Sequence, residues 1–166
     1  MNEEIYKKIS GPIKRMNRGE EILNIINKTA TSFVYLTYPV ILLLLAIKKD
    51  IRFWKVLIIP AVSFIIVSLI RKWIDFPRPY EVLDIDPIIK KETKGNSFPS
   101  RHVFSVFIIA MILYYIVPSI SLLLIFIGFI IAVTRVVGGV HFPRDVIAGA
   151  LIGIVLGIIG WKLLNI

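Results

Sequence analysis

Five long apolar runs alternate with shorter polar segments along the chain. They occupy residues 31–47, 53–70, 103–117, 120–134 and 146–161. Each run is continuous and does not alternate with period two, which favours helices over the strands of a β-barrel. A membrane-spanning helix needs about 20 apolar residues and at least about 17, so the third and fourth runs reach that length only with their flanking residues. The pattern predicts an all-α, polytopic membrane helical bundle with five to six membrane helices in a single domain, 1–166.

The first 30 residues differ from the rest because they are charged throughout. Ile5, Ile9 and Ile13 recur every four residues among lysines, as on one face of a helix, and the Gly-Pro pair at 11–12 predicts a break. We interpret residues 1–30 as an interfacial helical segment that lies on the bilayer with its lysines at the headgroups. A shallow or re-entrant sixth membrane element is the alternative.

One long polar segment, residues 71–101, separates the second run from the third. It carries four prolines and a mixture of acidic and basic side chains. Loops of this length are uncommon unless they are functional or disordered. We therefore predict a polar active-site loop that faces the lipid headgroups and contains a short helix.

Counting the membrane crossings places several chemically active residues on one face. The second run ends at Arg71, the third begins at His102, the fourth ends at Arg135 and the fifth begins near His141. With five spans, all four residues share a face. Guanidinium groups suit phosphate, and histidine can act as a nucleophile or a general acid–base near neutral pH. For any single arginine, an ordinary basic flank of a membrane helix is the simpler explanation.

His141 and Asp145 are spaced i, i+4 at the start of the fifth run. One helical turn lets the carboxylate accept a hydrogen bond from one imidazole nitrogen and leaves the other nitrogen as a nucleophile. Asp145 also fits an acid that complements the helix dipole, and the two roles are compatible. Glycines follow at every fourth position, 149, 153 and 157. We infer that they brace the pair against another helix, although plain membrane packing uses the same pattern.

Composition and charge support a membrane protein. The apolar fraction is 57%, against about 45–50% in soluble domains. The net charge of +9 is explained by membrane flanks and anionic headgroups. No soluble basic domain is visible, which argues against a nucleic-acid partner. The chain has no cysteine, which excludes disulfides and thiol chemistry. The oligomeric state is left open.

Three linked clusters in this chain resemble the signature of the type-2 phosphatidic acid phosphatase superfamily, the integral-membrane lipid phosphate phosphatases. The family pattern is K-x6-R-P, then P-S-G-H, then S-R-x5-H-x3-D. Order and internal spacing are kept over about half of the chain. The chain reads Arg71-x6-Arg78-Pro79, then Pro99-Ser100-Arg101-His102, then Thr134-Arg135-x5-His141-x3-Asp145.

The resemblance implies a role for each matching residue. His141 would be the nucleophile that forms a phosphohistidine, and Asp145 would orient it. His102 would protonate the leaving oxygen and then activate water. No metal or other cofactor is implied, since no carboxylate cluster matches a magnesium site. The phosphoryl oxygens would be held by Arg71, Arg78, Arg135 and Ser100, with backbone N–H groups near residue 101.

The chain departs from the family pattern at three positions. Arg71 stands where the family has lysine, while the neighbouring Lys72 is one residue out of register. Thr134 replaces serine and keeps the hydroxyl. Arg101 replaces a glycine, which would let phosphate approach the backbone. Its guanidinium can face solvent, an acid of the loop such as Asp84, or the headgroup. A diphosphate or doubly charged headgroup would use the extra charge, so Arg101 is a candidate substrate-binding residue.

The short length, five spans and charged N-terminal helix also resemble small bacterial undecaprenyl-diphosphate phosphatases. Phosphatidylglycerophosphate and phosphatidic acid phosphatases share the motifs, so three lipid substrates stay open. The alternative from another class is a non-catalytic membrane protein that binds anionic lipid headgroups through its arginines. A channel or transporter is disfavoured, because few ionisable residues lie within the apolar runs. Haloperoxidase-like members of the superfamily are soluble, which the composition argues against.

The charge distribution gives conflicting indications of orientation. The candidate face is the more basic one, which by the positive-inside rule would place it in the cytoplasm, but several of its arginines would serve phosphate. The short turn at 48–55 carries four basic residues on the opposite face, and charges in short loops govern orientation best. Bacterial relatives also usually face outward. We expect an integral membrane protein of a bacterial cell membrane with its active site on the extracytoplasmic face.

Overall fold

Residues 1–164, which the computed structural model describes, fold into seven α-helices without a β-strand. The predicted all-α membrane bundle is confirmed, and each apolar run lies in a helix of its own. The helices are α1 (Glu3–Arg15), α2 (Gly19–Ile47), α3 (Arg52–Ile74), α4 (Pro79–Val82), α5 (Arg101–Tyr114), α6 (Pro118–Val137) and α7 (Pro143–Leu163).

Within the described residues, four helices are long and apolar enough to cross a bilayer, namely α2, α3, α6 and α7. The third run does not reach span length, because α5 has only 14 residues. At ~1.5 Å per residue it is about 21 Å long, short of a hydrocarbon core of about 30 Å. It lies at the centre of the bundle with nine residues buried, and it packs most extensively against α7 and then α6. A helix surrounded by protein need not match the thickness of the bilayer.

The first 30 residues do not fold as one unit. Helix α1 runs through Pro12 and ends at Arg15, and residues 19–30 continue directly into α2. The break falls at residues 16–18, where Arg18 adopts a left-handed backbone conformation with φ of 58°. The Gly-Pro pair does not end the helix, since an internal proline removes a single backbone N–H donor and the remaining turns persist.

The polar segment after α3 contains the short helix α4 and is packed against the bundle. A second, smaller core joins this loop to α2 and to the link between α6 and α7. Helix α1 also contacts the loop, because the Tyr6 hydroxyl donates to the Asp86 carbonyl at 3.3 Å and Lys14 Nζ donates to the same oxygen at 2.7 Å. Hydrogen bonds and apolar packing therefore hold the loop against the helices. The buried residues of the second core are Leu23, Ile88, Ile89 and Val140.

The glycines of α7 form the contact with α5. A Cβ added at Gly149 would lie 2.7 Å from the Ser100 carbonyl oxygen, and one at Gly153 would lie 2.7 Å from the Phe104 carbonyl oxygen. Only residues without a side chain permit this approach. The helix that these glycines contact is thus α5. The contact lies at the end where the Ser100 N–H donates to the Asp145 carbonyl at 2.9 Å.

Candidate active site

The link between α6 and α7 places His141 beside Asp145. The chain turns at Gly139, whose φ of +77° is in the left-handed region and where a Cβ would lie 2.9 Å from Tyr6 Oη. His141 follows in the link and Asp145 in the first turn of α7, and both side chains are buried. His141 Nδ1 lies 3.5 Å from Asp145 Oδ2. The other ring nitrogen, Nε2, is on the opposite side of the imidazole from the carboxylate.

Ser97 is a third member of this group, and the sequence did not single it out. Its Oγ donates to Asp145 Oδ2 at 2.5 Å and lies 3.4 Å from His141 Nδ1. The backbone N–H of Phe142 donates to the same carboxylate oxygen at 3.0 Å. Ser97 is fully buried. Its place in the polar stretch just before the Pro99-Ser100 motif was the only signal in the sequence.

His141 is uncharged at neutral pH. Burial, helped by the nearby charges of Arg78 and Arg71, lowers the pKa of His141 to about 4. The hydrogen bond to Asp145 raises the pKa of His141 but does not outweigh burial. A neutral imidazole has a free lone pair on one nitrogen, as a nucleophile requires.

Arg71 is buried and holds the loop that carries Ser97. Its Nη1 donates to the carbonyl of Ser97 at 3.2 Å and also to that of Pro99, while its Nη2 donates to the carbonyl of Asn96. The structure thus gives Arg71 a bracing role that the motif did not predict. An arginine carries five donors, so these contacts still allow Arg71 to bind phosphate. That predicted contact stays a prediction.

Arg78 also connects separate parts of the site. Its Nε donates to the Gly95 carbonyl at 3.1 Å and its Nη1 donates to the Val140 carbonyl at 3.2 Å. Its own backbone N–H donates to Glu81 at 2.9 Å, in the manner of a carboxylate that caps the start of α4. Arg78 therefore ties the loop to the residue immediately before His141.

Three buried polar atoms of the site have no hydrogen-bond partner within residues 1–164, namely Arg135 Nε, Ser100 Oγ and Asp145 Oδ1. Arg144 Nε lies 3.6 Å from that Asp145 oxygen, an ion pair beyond hydrogen-bond range. Unsatisfied buried polar groups cost about 1–3 kcal/mol each. The unpartnered donors of Arg135 and Ser100 suit the contact with phosphate that the resemblance implies for both residues, and that contact stays a prediction.

His102 is the second residue of α5 and is half-buried. Its neighbours include Arg135 and His141, which are close enough to interact with it electrostatically. Its side chain lines a cavity of about 10 Å³ together with Thr31 and Tyr35 of α2. The sequence did not predict that α2 contributes to this region, because the polar residues of α2 belong to none of the three motifs.

Not all the predicted phosphate ligands lie together. Arg71, Arg78 and Arg101 line a cavity of about 470 Å³ between α3, the loop and the start of α5, whereas Ser100 and Arg135 do not line it. Lys91, from the loop, lines this cavity too, and the motifs did not identify it. The arrangement as a whole offers a neutral, carboxylate-oriented imidazole and several cationic donors, which suits transfer of a phosphoryl group to nitrogen.

A family model described as "PAP2 superfamily" matches residues 52–165. Among curated proteins, the chain is 33% identical over 78 residues to a bacitracin transport permease protein BcrC of Bacillus licheniformis, a match that covers 46% of this chain and 38% of that protein. It is 28% identical over 155 residues to an undecaprenyl-diphosphatase of Sulfolobus acidocaldarius, covering 92% of this chain and 73% of that one.

A solved structure has the same fold over nearly the whole chain. The crystal structure of Aquifex aeolicus LpxE superimposes with a TM-score of 0.75 at 27% sequence identity, covering 97% of this chain and 94% of that one. The similarity includes both the helical bundle and the segment that carries the site.

Proposed function

The chain belongs to the PAP2 superfamily, and from this premise we propose that it is an integral-membrane phosphatase acting on a lipid phosphate or diphosphate through a phosphohistidine. One observation carries the proposal: His141 Nδ1 lies 3.5 Å from Asp145 Oδ2 and 3.4 Å from Ser97 Oγ, and the buried Arg135 has a donor without a partner within residues 1–164. A non-catalytic lipid-binding protein would have no use for such a network.

In the first step, the lone pair of His141 Nε2 attacks the terminal phosphorus of the lipid. The bond between phosphorus and the leaving oxygen breaks, and its electron pair stays on that oxygen. Burial and the charge of Arg135 lower the pKa of His102 in the free enzyme, and a phosphate dianion bound beside it favours its charged form. His102 then donates a proton to the leaving oxygen. Asp145 stabilises the positive charge that develops on the His141 ring. The phosphoryl oxygens are held by Arg135, Ser100 and the free N–H groups at the start of α5.

In the second step, water releases the phosphate. His102, which has now lost its proton, accepts one from a water molecule whose oxygen attacks the phosphorus. The bond between phosphorus and nitrogen breaks, its electron pair returns to His141 Nε2, and inorganic phosphate leaves. The enzyme returns to its starting protonation state after each cycle.

The proposed mechanism needs no metal ion. Among the residues that the structure describes, no three His, Cys, Asp or Glu side chains form a group that could hold one. Similarity to an undecaprenyl-diphosphatase supports undecaprenyl diphosphate as the first substrate to test. Phosphatidylglycerophosphate and phosphatidic acid are the other candidates. We place the enzyme in a bacterial cell membrane with this site on the extracytoplasmic face.

Phosphate release from the three lipids in detergent, with EDTA present, tests the proposal. The wild-type chain should release phosphate from at least one of them, and His141→Ala should release none while eluting as the same species in size exclusion. Absence of release from all three lipids would overturn the assignment as a lipid phosphatase. Loss of wild-type activity in EDTA would overturn the metal-free mechanism and leave the phosphatase assignment standing.

A further inference from the structure

The cavity lined by Arg71, Arg78 and Arg101 carries more positive charge than a single phosphate group requires. Six of its ten lining residues are cationic, and the other four are uncharged. Its volume of about 470 Å³ lies within the ~300–1,000 Å³ typical of small-molecule sites. The cationic residues are Arg71, Lys72, Arg78, Lys91, Lys94 and Arg101.

The carboxylates at the edge of this cavity already have partners in the chain. Asp75 Oδ1 accepts the Asn96 N–H at 2.9 Å, and Glu81 accepts the Gly95 N–H at 2.8 Å. They shape the backbone of the loop and do not line the cavity. Two carboxylates beside six cations leave a strong excess of positive charge, which favours a multiply charged anion.

Lys91 differs from the adjacent Lys90 in its surroundings. Burial, together with the charges of Arg135 and Arg78, lowers the pKa of Lys91 to about 8. Lys90 is exposed and pairs with Asp86. Cations held together in a partly buried cavity repel one another, and an anion bound between them relieves that repulsion.

We propose that this cavity is a second phosphate subsite, which binds the lipid-proximal phosphate of a lipid diphosphate while the terminal phosphate lies at His141. The two subsites are adjacent, because Arg78 lines the cavity and its Nη1 donates at 3.2 Å to the carbonyl of Val140, the residue before His141. The inference rests on the proposed function and narrows its substrate class to lipid diphosphates.

The subsite has a defined part in the reaction. When His141 attacks the terminal phosphorus, the bond to the bridging oxygen breaks, and its electron pair stays on the lipid monophosphate that leaves. The negative charge that develops on this leaving group lies among Lys91, Lys94 and Arg101. Cations positioned where charge develops accelerate the step, so these residues should favour diphosphate over monophosphate substrates.

Paired substrates test the subsite. The ratio of kcat/KM for a prenyl diphosphate to that for the monophosphate with the same tail should fall about tenfold in Lys91→Gln and in Lys94→Gln, as expected for loss of a charge-assisted contact. Lys90→Gln, the matched control outside the cavity, should leave the ratio within about twofold. Equal losses on both substrates, or an unchanged ratio in the double variant, would overturn the inference.

Inorganic anions separate a diphosphate subsite from a simple product site. Inorganic diphosphate should bind the wild-type chain more tightly than inorganic phosphate in calorimetry, and the Lys91→Gln/Lys94→Gln double variant should lose that preference. If the variant weakens both anions equally, the cavity is a phosphate site only and the inference is wrong. Because binding needs no turnover, this result stands even if no lipid phosphate is hydrolysed, which separates it from failure of the proposed function.

Discussion

At the scale of single residues, Asp145 depends on its partners for its orientation. Ser97 Oγ and the Phe142 N–H both donate to Oδ2, at 2.5 and 3.0 Å, so the carboxylate is fixed from two sides. His141 then contacts a carboxylate that cannot rotate freely. Second-layer hydrogen bonds of this kind hold a reacting imidazole in one tautomer and one orientation.

Replacing Ser97 tests this arrangement. A hydrogen bond to a charged group contributes about 1.5–3 kcal/mol, so Ser97→Ala should lower kcat by about 10- to 100-fold with a much smaller change in KM. Ser121→Ala is the matched control. This buried serine lies away from the site, and its Oγ donates to the Ala110 carbonyl at a distance of 2.7 Å. Phosphate-release kinetics should be measured on both variants. An equal loss of activity in the two would contradict the role of Ser97.

The pH profile tests the state of His141. Its pKa is lowered to about 4, and the reaction needs the unprotonated ring, so activity is present above this pKa and is lost as pH falls through it. We therefore expect the acid limb of kcat/KM, the loss of activity that follows protonation of His141, to lie below about pH 5. An acid limb centred at pH 6.5 or above, unchanged between two substrates whose phosphates differ in pKa, would contradict the prediction.

At the scale of helices, the close contact between α5 and α7 sets the distance between the two histidine-bearing segments. Gly149 faces the Ser100 carbonyl and Gly153 faces that of Phe104, each with no room for a Cβ. Ser100 precedes α5 and Asp145 begins α7, so a change in helix separation moves both walls of the site at once. Packing and catalysis are therefore coupled at this end of the bundle.

Alanine at Gly149 should separate these helices. Overpacking costs about 1–3 kcal/mol, so we expect Gly149→Ala to lower the midpoint of thermal unfolding in detergent and to reduce activity at least tenfold. Gly11→Ala in α1, where a Cβ meets nothing within 4 Å, should instead stabilise by about 0.5–1 kcal/mol through helix propensity. Thermal unfolding should be measured for both variants. A shift of the unfolding midpoint in the same direction in Gly149→Ala and Gly11→Ala would contradict the packing argument.

Features that depend on the spacing of residues within one segment could be predicted from the sequence. The five apolar runs, the His141–Asp145 pair and the glycine stripe each follow from periodicity within one segment. The contacts of Ser97 and Arg71 could not be predicted, because they join residues 44 or more and 25 or more positions apart. The predicted break at residues 11–12 was wrong for a different reason: a Gly-Pro pair is a strong signal for a break, and here the helix continues through it.

At the scale of the whole molecule, α3 locates the bilayer. Trp54 lies near its start and Trp73 near its end, and both are exposed, the latter at 86%. Tryptophan prefers the two membrane interfaces. Nineteen residues separate them, which is about 28 Å at ~1.5 Å per residue and close to the hydrocarbon thickness. We therefore expect Arg71 at one interface, where a lipid could keep its tail in the bilayer and present its phosphate to the proposed site.

Orientation follows from labelling, because the native chain has no cysteine. Thr93 is exposed in the loop of the candidate face, and Ser119 is exposed in the first turn of α6 at the opposite end. With an impermeant maleimide on intact cells, Thr93→Cys should be labelled and Ser119→Cys should react only after permeabilisation. The reverse pattern would place the site in the cytoplasm.

The phosphoenzyme is the most direct test of the account. Purified chain is mixed with a lipid diphosphate labelled in the terminal phosphate and quenched with alkali, since phosphohistidine survives alkali and is lost in acid. We expect label on His141, no more than one phosphoryl group per chain, and none on His141→Asn. Turnover without labelled protein, or label that persists in His141→Asn, would contradict it.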